Sequence, residues 1–513
     1  MALFDPATGE GVAARDGLGG RYLAWRNDPE GPTFSRLDAE LVPGGLDPDG
    51  LDTVRLAEFF AYRELSGGST FFRGVRSLLP GELVVFRNGE LRRKSISSPR
   101  LELRIRHHRW EEYVERFAEL LQQAVWRCTM DIDRPRETAI WLSGGLDSTS
   151  LAALTAAALG RRGLPEPLAA ISWRFRDPGG DESAFVTEVA AKIGATTHWI
   201  EAAEAVPYSN LAEWPVHPST PEQTPYRWLH ERSYARAAAL GAKVVLNGFN
   251  GDVLYGHGRR WFWTLLAAGQ VGRAIDGLRS VAREIGGWAA VRSQLIGPAL
   301  PKRRSLRRTL PDYLTEGARS TLDALPRYPA NAIEARRPRQ AERLLSLLDS
   351  HGDDLERWFA ARFGVEARSP FRDPDLVRWM LAVPDHLLQQ GTTSRPILRA
   401  ATRGLIPENV RKRRSKGRFQ VLLERGFSTQ NLAWATQVLF DEGALWRPYV
   451  REESVRRWLE GRFANQIDMV GFVQVLNAEL WRLKRRGVDL GSLQADQKTF
   501  PFELGDQSDE VGS

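Results

Sequence analysis

One cysteine, Cys128, stands in 513 residues. An intrachain disulfide is therefore impossible, and a cysteine-rich zinc site and a CxxC redox pair are excluded with it. That points to a reducing compartment. No run of about 18 apolar residues occurs, so no membrane span is expected. The N-terminus reads MALFDPATGEGVAARDGLGG, with Asp5, Glu10 and Asp16 where a secretory signal would have a basic start and an apolar stretch. The expectation is a soluble cytoplasmic protein. Lysine is scarce too: arginine makes up all but 8 of the 71 basic residues, and the formal charge is +7. A charge of that size over this length permits an acidic partner without demanding one.

What is present is globular. The chain is 42% hydrophobic and holds 17 tryptophans, enough to build sizeable cores and to exclude wholesale disorder. At roughly 100–200 residues per domain, the length suggests about three units. Residues 1–100 read as β-rich. Ser69–Val75 alternates around β-formers, Pro80-Gly81 marks a turn, and Glu82–Phe86 is a short strand. Asn88-Gly89 supplies a hairpin turn. Residues 51–64 carry a short helical pattern, and 95–107 look like a linker. From Trp110 the period changes to 3.6, predicting an amphipathic helix over 110–127. Strands (138–142, 168–175, 199–200, 242–246) then alternate with helices (147–159, 182–193, 226–240). That alternation implies a parallel sheet covered on both faces. After about 257 the pattern is almost wholly helical, ending near 467–486, and the tail from Ser492 is polar.

The strongest chemical signal is Leu142-Ser143-Gly144-Gly145-Leu146-Asp147-Ser148-Thr149, placed where a strand ends and a helix begins. Glycines let the backbone turn tightly and approach a ligand. The helix start offers unpaired N–H groups to an anion, and Ser143, Ser148 and Thr149 add hydroxyls. Asp147 is out of place beside bare phosphate unless a cation lies between them, which suggests Mg²⁺. The spacing is not that of a Walker A loop. By itself the stretch also reads as a strand–turn–helix connection with a serine cap. About a hundred residues on, Leu246-Asn247-Gly248-Phe249-Asn250-Gly251-Asp252 is again a buried strand running into a glycine turn with an acid. Ligands of open α/β sheets bind at the carboxyl ends of strands, so Asp147 and Asp252 are expected to share the metal. The plain alternative for Asp252 is a turn or cap carboxylate.

SGGLDST resembles the pyrophosphate loop of the ATP pyrophosphatases. The later motifs resemble asparagine synthetase: the turn at 248–252, the segment Gly364-Val-Glu366-Ala-Arg368-Ser-Pro370-Phe371-Arg-Asp373, and Arg395-Pro-Ile-Leu398-Arg399 followed by Arg413-Arg-Ser-Lys416-Gly-Arg-Phe419. Residues 69–86 resemble the end of that family's glutaminase domain. The resemblance implies an α/β fold in three parts. These are a degenerate Ntn-type glutaminase-like β-sandwich over 1–107, a doubly wound parallel-sheet PP-loop ATP-pyrophosphatase (HUP-like) domain with a helical extension over 108–490, and a disordered tail over 491–513. It implies ATP and Mg²⁺ as cofactors. Leu142, Ser143, Gly144, Gly145, Asp147, Ser148, Thr149, Gly248 and Arg399 are the implied nucleotide and pyrophosphate contacts, and Asp147 and Asp252 the metal ligands. Glu366 matches a positioning or base carboxylate, and Lys416 a stabiliser of developing charge, a role worth about 3–4 kcal/mol for one such donor.

The departures narrow the reading. Position 2 is Ala, where a working glutaminase exposes Cys, so the thiol that frees ammonia from glutamine is missing. Asn250 and Val253 replace small and acidic residues, and Arg395 stands where Lys is common. An adenylating enzyme without ammonia needs another amine. The relatives that fit are β-lactam synthetase and the lasso-peptide cyclases, which join amine and carboxylate within one substrate. The Arg-rich lysine motif looks most like the cyclases. The expected substrate is a precursor core peptide, with a leader peptidase and a leader-binding protein as possible partners. Neither membrane nor nucleic acid is expected as a partner. Alternatives are a small-molecule β-lactam former, an ammonia-dependent asparagine synthetase, a tRNA-modifying relative drawn by the basic runs, and a non-catalytic scaffold. Plainer readings also stand for single residues. Glu366–Arg368 is a possible structural ion pair, and Lys416 lies in a basic run that is otherwise a solvated face. Cys128 and His198 read as packing, Arg259–Trp263 as a buried helix face or the lining of a substrate cleft, and Lys302–Arg308 as a solvated cluster or a contact for a partner or acidic peptide.

Overall fold

The computed structural model describes all residues except 43–49, 64–66, 88–89, 96–104, 164–166, 176–180, 203–206, 256–259, 298–309, 326–343, 345–346, 348–350, 414–426, 428–432 and 495–513. The Asn88-Gly89 turn, most of the expected linker, the cluster at 302–308, Lys416 and the tail beyond 494 lie outside the described residues.

Seven strands open the chain: β1 (Ala2–Asp5), β2 (Glu10–Ala14), β3 (Ala24–Asp28), β4 (Gly31–Ser35), β5 (Arg76–Ser77), β6 (Glu82–Arg87) and β7 (Glu90–Ser95). They form two antiparallel sheets, ordered β1-β2-β6-β7 and β4-β3-β5. Ala13 and Val84 from one sheet and Leu23, Trp25 and Leu78 near the other close a small shared core. The β-rich reading of this region agrees. The strand expected at Ser69–Val75 does not form. The chain turns at Arg73-Gly74, with Gly74 at φ 81, and the Thr70 hydroxyl donates to the Phe72 and Val75 carbonyls. Only isolated bridges at Ser69 and Phe72 remain. The alternation there comes from aromatic packing: Phe71 and Phe72 are both buried. Helix α1 (Thr53–Phe60) starts where Asp52 accepts from the Arg55 amide.

The centre is α2 (Trp110–Thr129), β8 (Thr138–Trp141), α3 (Leu146–Arg161), β9 (Ala169–Arg174), α4 (Ser183–Ile193), β10 (Thr196–Glu201), α5 (Arg227–Ala239), β11 (Val244–Leu246), α6 (Gly251–Tyr255) and β12 (Glu366–Arg368). Five parallel strands run in the order β10-β9-β8-β11-β12. Side chains alternate between two cores, as a sheet covered on both faces requires. Ile140, Val244 and Leu246 face the core shared with α2 and α3, and Ala139 and Val245 face the one shared with α5 and the helix His351–Ala361. Strand β12 corrects the expectation of an almost wholly helical chain after about 257. Three residues, Glu-Ala-Arg, carry no period of their own, and pairing with β11 decides their state.

The chain lays β8, β9 and β10 outward in one direction, then returns to place β11 on the other side of β8. The order therefore reverses between β8 and β11. Both glycine loops follow those two strands. The C-terminal helices pack on α1 and the turn that follows it, where Gln466–Arg485 buries Phe472, Val475, Leu476 and Trp481 in one cluster with Phe59, Phe60, Phe71 and Phe72. No helix among the described residues is long and apolar enough to cross a membrane.

Candidate active site

Beyond β8 the Leu142 amide donates to the Ile171 carbonyl (2.9 Å), and its own carbonyl accepts from the Ser172 hydroxyl (2.6 Å). Leu142 thus holds the loop root on the neighbouring strand. Gly144 then turns at φ 64, and a Cβ there would sit 3.1 Å from that of Phe185. Helix α3 begins with Gly145 as its cap, a residue with no side chain to bond its first amides. Its first turn is therefore open to an anion. The Ser148 hydroxyl accepts from the Ser143 amide (3.1 Å) and lies 3.0 Å from the Ser143 hydroxyl, drawing the loop into a ring. The Thr149 hydroxyl is buried and meets no partner among the described residues.

The second loop comes to the same place. Asn247 donates its amide to Arg368 (3.0 Å), and its side chain accepts from the Phe249 amide (3.1 Å). A Cβ on Gly248 would lie 3.6 Å from that of Asp147, and one on Gly251 3.0 Å from Asp147 Oδ2. At 251 a Cβ would be crowded by Asp147 and by Phe371 (3.2 Å), which favours glycine there, whereas at 248 it would make ordinary contact. Asn250 takes the left-handed conformation (φ 66) that asparagine tolerates better than most residues. Asp147 and Asp252 thereby meet at one point, and the Arg395 guanidinium pairs with both.

Two carboxylates of this kind suit Mg²⁺, which takes hard oxygen ligands and usually binds through one or two carboxylates together with substrate phosphates. Among the described residues no group of three or more His, Cys, Asp or Glu gathers to hold a metal alone. The donor set therefore fits a cation that arrives with phosphate.

Other expected site residues separate from this group. Arg399 does not face the loop amides with a free fork. It donates Nε to the Ser394 carbonyl (2.8 Å), Nη2 to that of Arg413 (2.9 Å) and Nη1 to that of Arg411. It fastens the segment that leads toward Lys416. Arg413 in turn pairs with Glu182 (2.8 Å) and lies 4.1 Å over the Phe185 ring, both of which border Gly144. Arg413, at the start of the basic run, is thus tied down beside the Ser143–Gly145 loop, a connection that long-range pairing created and no local motif announced.

Glu366 opens β12 opposite Val244, the first residue of β11, and the second loop begins at Asn247 once that strand ends, so about 10 Å further along at 3.3 Å per residue. Its carboxylate pairs with Arg21 and with Arg368 (2.7 Å), and Arg368 forks onto Asp131 (2.6 and 2.8 Å). Burial opposes ionisation of Glu366, yet the Arg368 hydrogen bond and charge, with Arg21, hold its pKa below the ordinary value. The structure does not bring it to Asp147 and Asp252. An aromatic wall went unnoticed in the sequence because its members are scattered. The Trp141 ring stands 5.7 Å from those of Trp173 and Phe249 and 5.1 Å from His230, whose Nδ1 is 2.6 Å from Glu356. Cys128 packs on α2 by contrast, and burial pushes its thiol up to about 12. Trp261 and Phe262 are buried, as the helix-face reading expects, but Trp263 is 39% exposed and departs from it.

A parallel sheet with a serine–glycine loop and a glycine–acid loop at its switch point fits the α/β domain of PP-loop ATP pyrophosphatases. The chain belongs to the asparagine synthase family, whose model matches residues 116–483. Over 200 residues it is 29% identical to the amidase chyE of Penicillium rubens, an alignment covering 36% of this chain. The chain spans 29% of the length of that curated relative.

Proposed function

We propose that this protein is an ATP-dependent, AMP-forming ligase that closes an amide bond within one peptide substrate, as a lasso-peptide cyclase does. The observation that carries the ligase reading is the convergence of the 142–149 and 247–252 loops at the switch point, with Asp147 and Asp252 meeting there. The cyclase reading rests further on the sequence motifs and on the lone cysteine, which is packed on α2 and offers no thiol for releasing ammonia.

In this reading the open first turn of α3 receives the departing pyrophosphate, and Ser143, Ser148 and Thr149 orient its oxygens. Asp147 and Asp252 would hold Mg²⁺, which supplies charge neutralisation on the phosphates. A side-chain carboxylate of a core peptide attacks the α-phosphorus of ATP, and pyrophosphate leaves. The peptide's own α-amine then attacks the acyl-adenylate, and AMP leaves with formation of the macrolactam. An α-amine of pKa ~8 is partly neutral near pH 7, so a strong base is not required. That agrees with the distance of Glu366 from the loops. Glu366 then serves to tie Arg21 of the N-terminal unit to β12. Lys416, three residues past the anchored Arg413, is the proposed stabiliser of developing negative charge. MgATP chemistry and an unpaired cysteine suit the cytoplasm, and leader-processing proteins remain the proposed partners.

Incubation of the protein with MgATP and synthetic core peptides, begun by Gly or Ala and carrying an Asp or Glu further on, tests this. The expected products are AMP, pyrophosphate and a peptide lighter by one water. Asp147→Asn should abolish pyrophosphate release. Amide formation from ammonia and a free amino acid, with peptides left linear, would overturn the cyclase reading.

A further inference from the structure

Between Asp147 and Asp252, where a divalent cation fits, the chain places a cation of its own. Arg395 Nη1 pairs with Asp147 Oδ2, and Nη2 pairs with Asp252 Oδ1. The Arg395 side chain is 11% exposed and that of Asp147 10%, whereas that of Asp252 opens to solvent at 65%. The Tyr255 ring lies 5.5 Å from the guanidinium carbon and closes off one side.

The backbone enforces this placement. Arg395 sits at φ 55, ψ 45, immediately before Pro396. A residue with a Cβ is strained in that left-handed region, and the residue before a proline is ordinarily extended. The surroundings over-determine the strained state. The Arg395 amide donates to the Leu388 carbonyl (2.8 Å), and its carbonyl accepts from the Arg399 amide (3.1 Å). The ribbon of Gln389–Gln390 and Thr393–Ser394 that leads into it turns at Gly391. Gly391 presses on Gly277 so closely that a Cβ would lie 2.7 Å from the Gly277 carbonyl oxygen.

Two carboxylates drawn together repel unless a cation lies between them. A lysine brings one ammonium, whereas the guanidinium fork offers a separate nitrogen to each carboxylate. We propose that Arg395 is a positioning residue that stands in for the metal. It holds Asp147 and Asp252 in place in the metal-free protein and keeps a lone divalent cation out. Nucleotide phosphates give the guanidinium a better anionic partner, and its departure lets the cation that comes with them take its place between the carboxylates. Divalent binding is thereby linked to nucleotide binding. This rests on the MgATP reading of the site but concerns the order of events, not the chemistry.

The test uses Mn²⁺ alone, titrated into the full-length, nucleotide-free protein, with free Mn²⁺ followed by electron paramagnetic resonance. Arg395→Met is expected to bind one Mn²⁺ at least about tenfold more tightly than the unaltered protein, about 1.4 kcal/mol. Adding Asp252→Asn to Arg395→Met should abolish that gain. Mn²⁺ should raise the melting temperature of Arg395→Met and leave that of the unaltered protein unchanged. Equal Mn²⁺ affinity in the two proteins, or a gain that survives Asp252→Asn, would overturn the proposal. If Arg395→Met does not fold, Arg395→Gln is read the same way. The proposed function is checked separately by product formation from MgATP and peptide. A protein that makes product but shows equal Mn²⁺ affinity keeps the function and loses the switch.

Discussion

At the residue scale, single atoms decide whether the loops meet. Gly144 turns left-handed with Phe185 pressed against it. Gly144→Ala adds about 1–2 kcal/mol of backbone strain and moves the loop away from its helix. Adenylation, followed as pyrophosphate release, should fall by more than tenfold while overall melting shifts little. Arg399 shows the opposite balance. It meets three backbone carbonyls. Arg399→Met leaves those carbonyls unpaired and should cost about 2–3 kcal/mol of stability, measured by urea unfolding.

At the element scale, short pieces are placed by what they touch. The ribbon 389–394 is fixed by the meeting of Gly391 and Gly277. Gly391→Ala meets both positive φ and a backbone clash, so it should destabilise by about 1–3 kcal/mol and loosen Arg395. Faster amide exchange over 388–396 would report it. The helix Gln466–Arg485 carries Glu479, whose carboxylate accepts from the Leu445 (2.6 Å) and Trp446 (3.3 Å) amides and from Arg482. Burial pushes its pKa from 4.5 up to about 7, against the pull of Arg482. A raised pKa means that the folded state keeps a proton the unfolded chain has released. The resulting stability is full below about pH 4.5 and is lost as pH rises through about 7. Asp38, also raised by burial to about 7, acts in the same sense. Urea unfolding at about pH 5 and about pH 8 should show the decline, and Glu479→Gln should flatten it.

At the scale of the whole molecule, the N-terminal unit is not a free appendage. Phe60 stacks on Tyr449 with ring centres 5.3 Å apart, Phe71 lies 5.9 Å from Trp481, and the Tyr313 hydroxyl donates to the Phe60 carbonyl (2.9 Å). One apolar cluster runs from the first hundred residues to Leu490. Phe60→Ala should therefore cost about 3–5 kcal/mol. Tryptophan fluorescence and far-ultraviolet circular dichroism should report one shared transition, displaced by the same amount. Separate transitions would show that the two parts unfold independently.

The sequence by itself determined the α/β core and both glycine loops. Periodicity marks α2 through β11 because each is built from local alternation of apolar and polar residues, and Ser143–Thr149 and Gly248–Asp252 are contiguous stretches whose chemistry is local. Strand β12 was not legible, since Glu366, Ala367 and Arg368 become a strand only through their pairing with β11. The same limit governed the site. Spacing suggested that Asp147 and Asp252 meet, and the glycine at 251 lets them. Only the tertiary structure decided that Glu366 stands at the start of β12, opposite Val244, held by Arg21 and Arg368. It alone gave Arg399 to backbone carbonyls and put Arg395 between the carboxylates. Those roles depend on which distant charge each guanidinium reaches, and local pattern carries no information about contacts hundreds of residues apart.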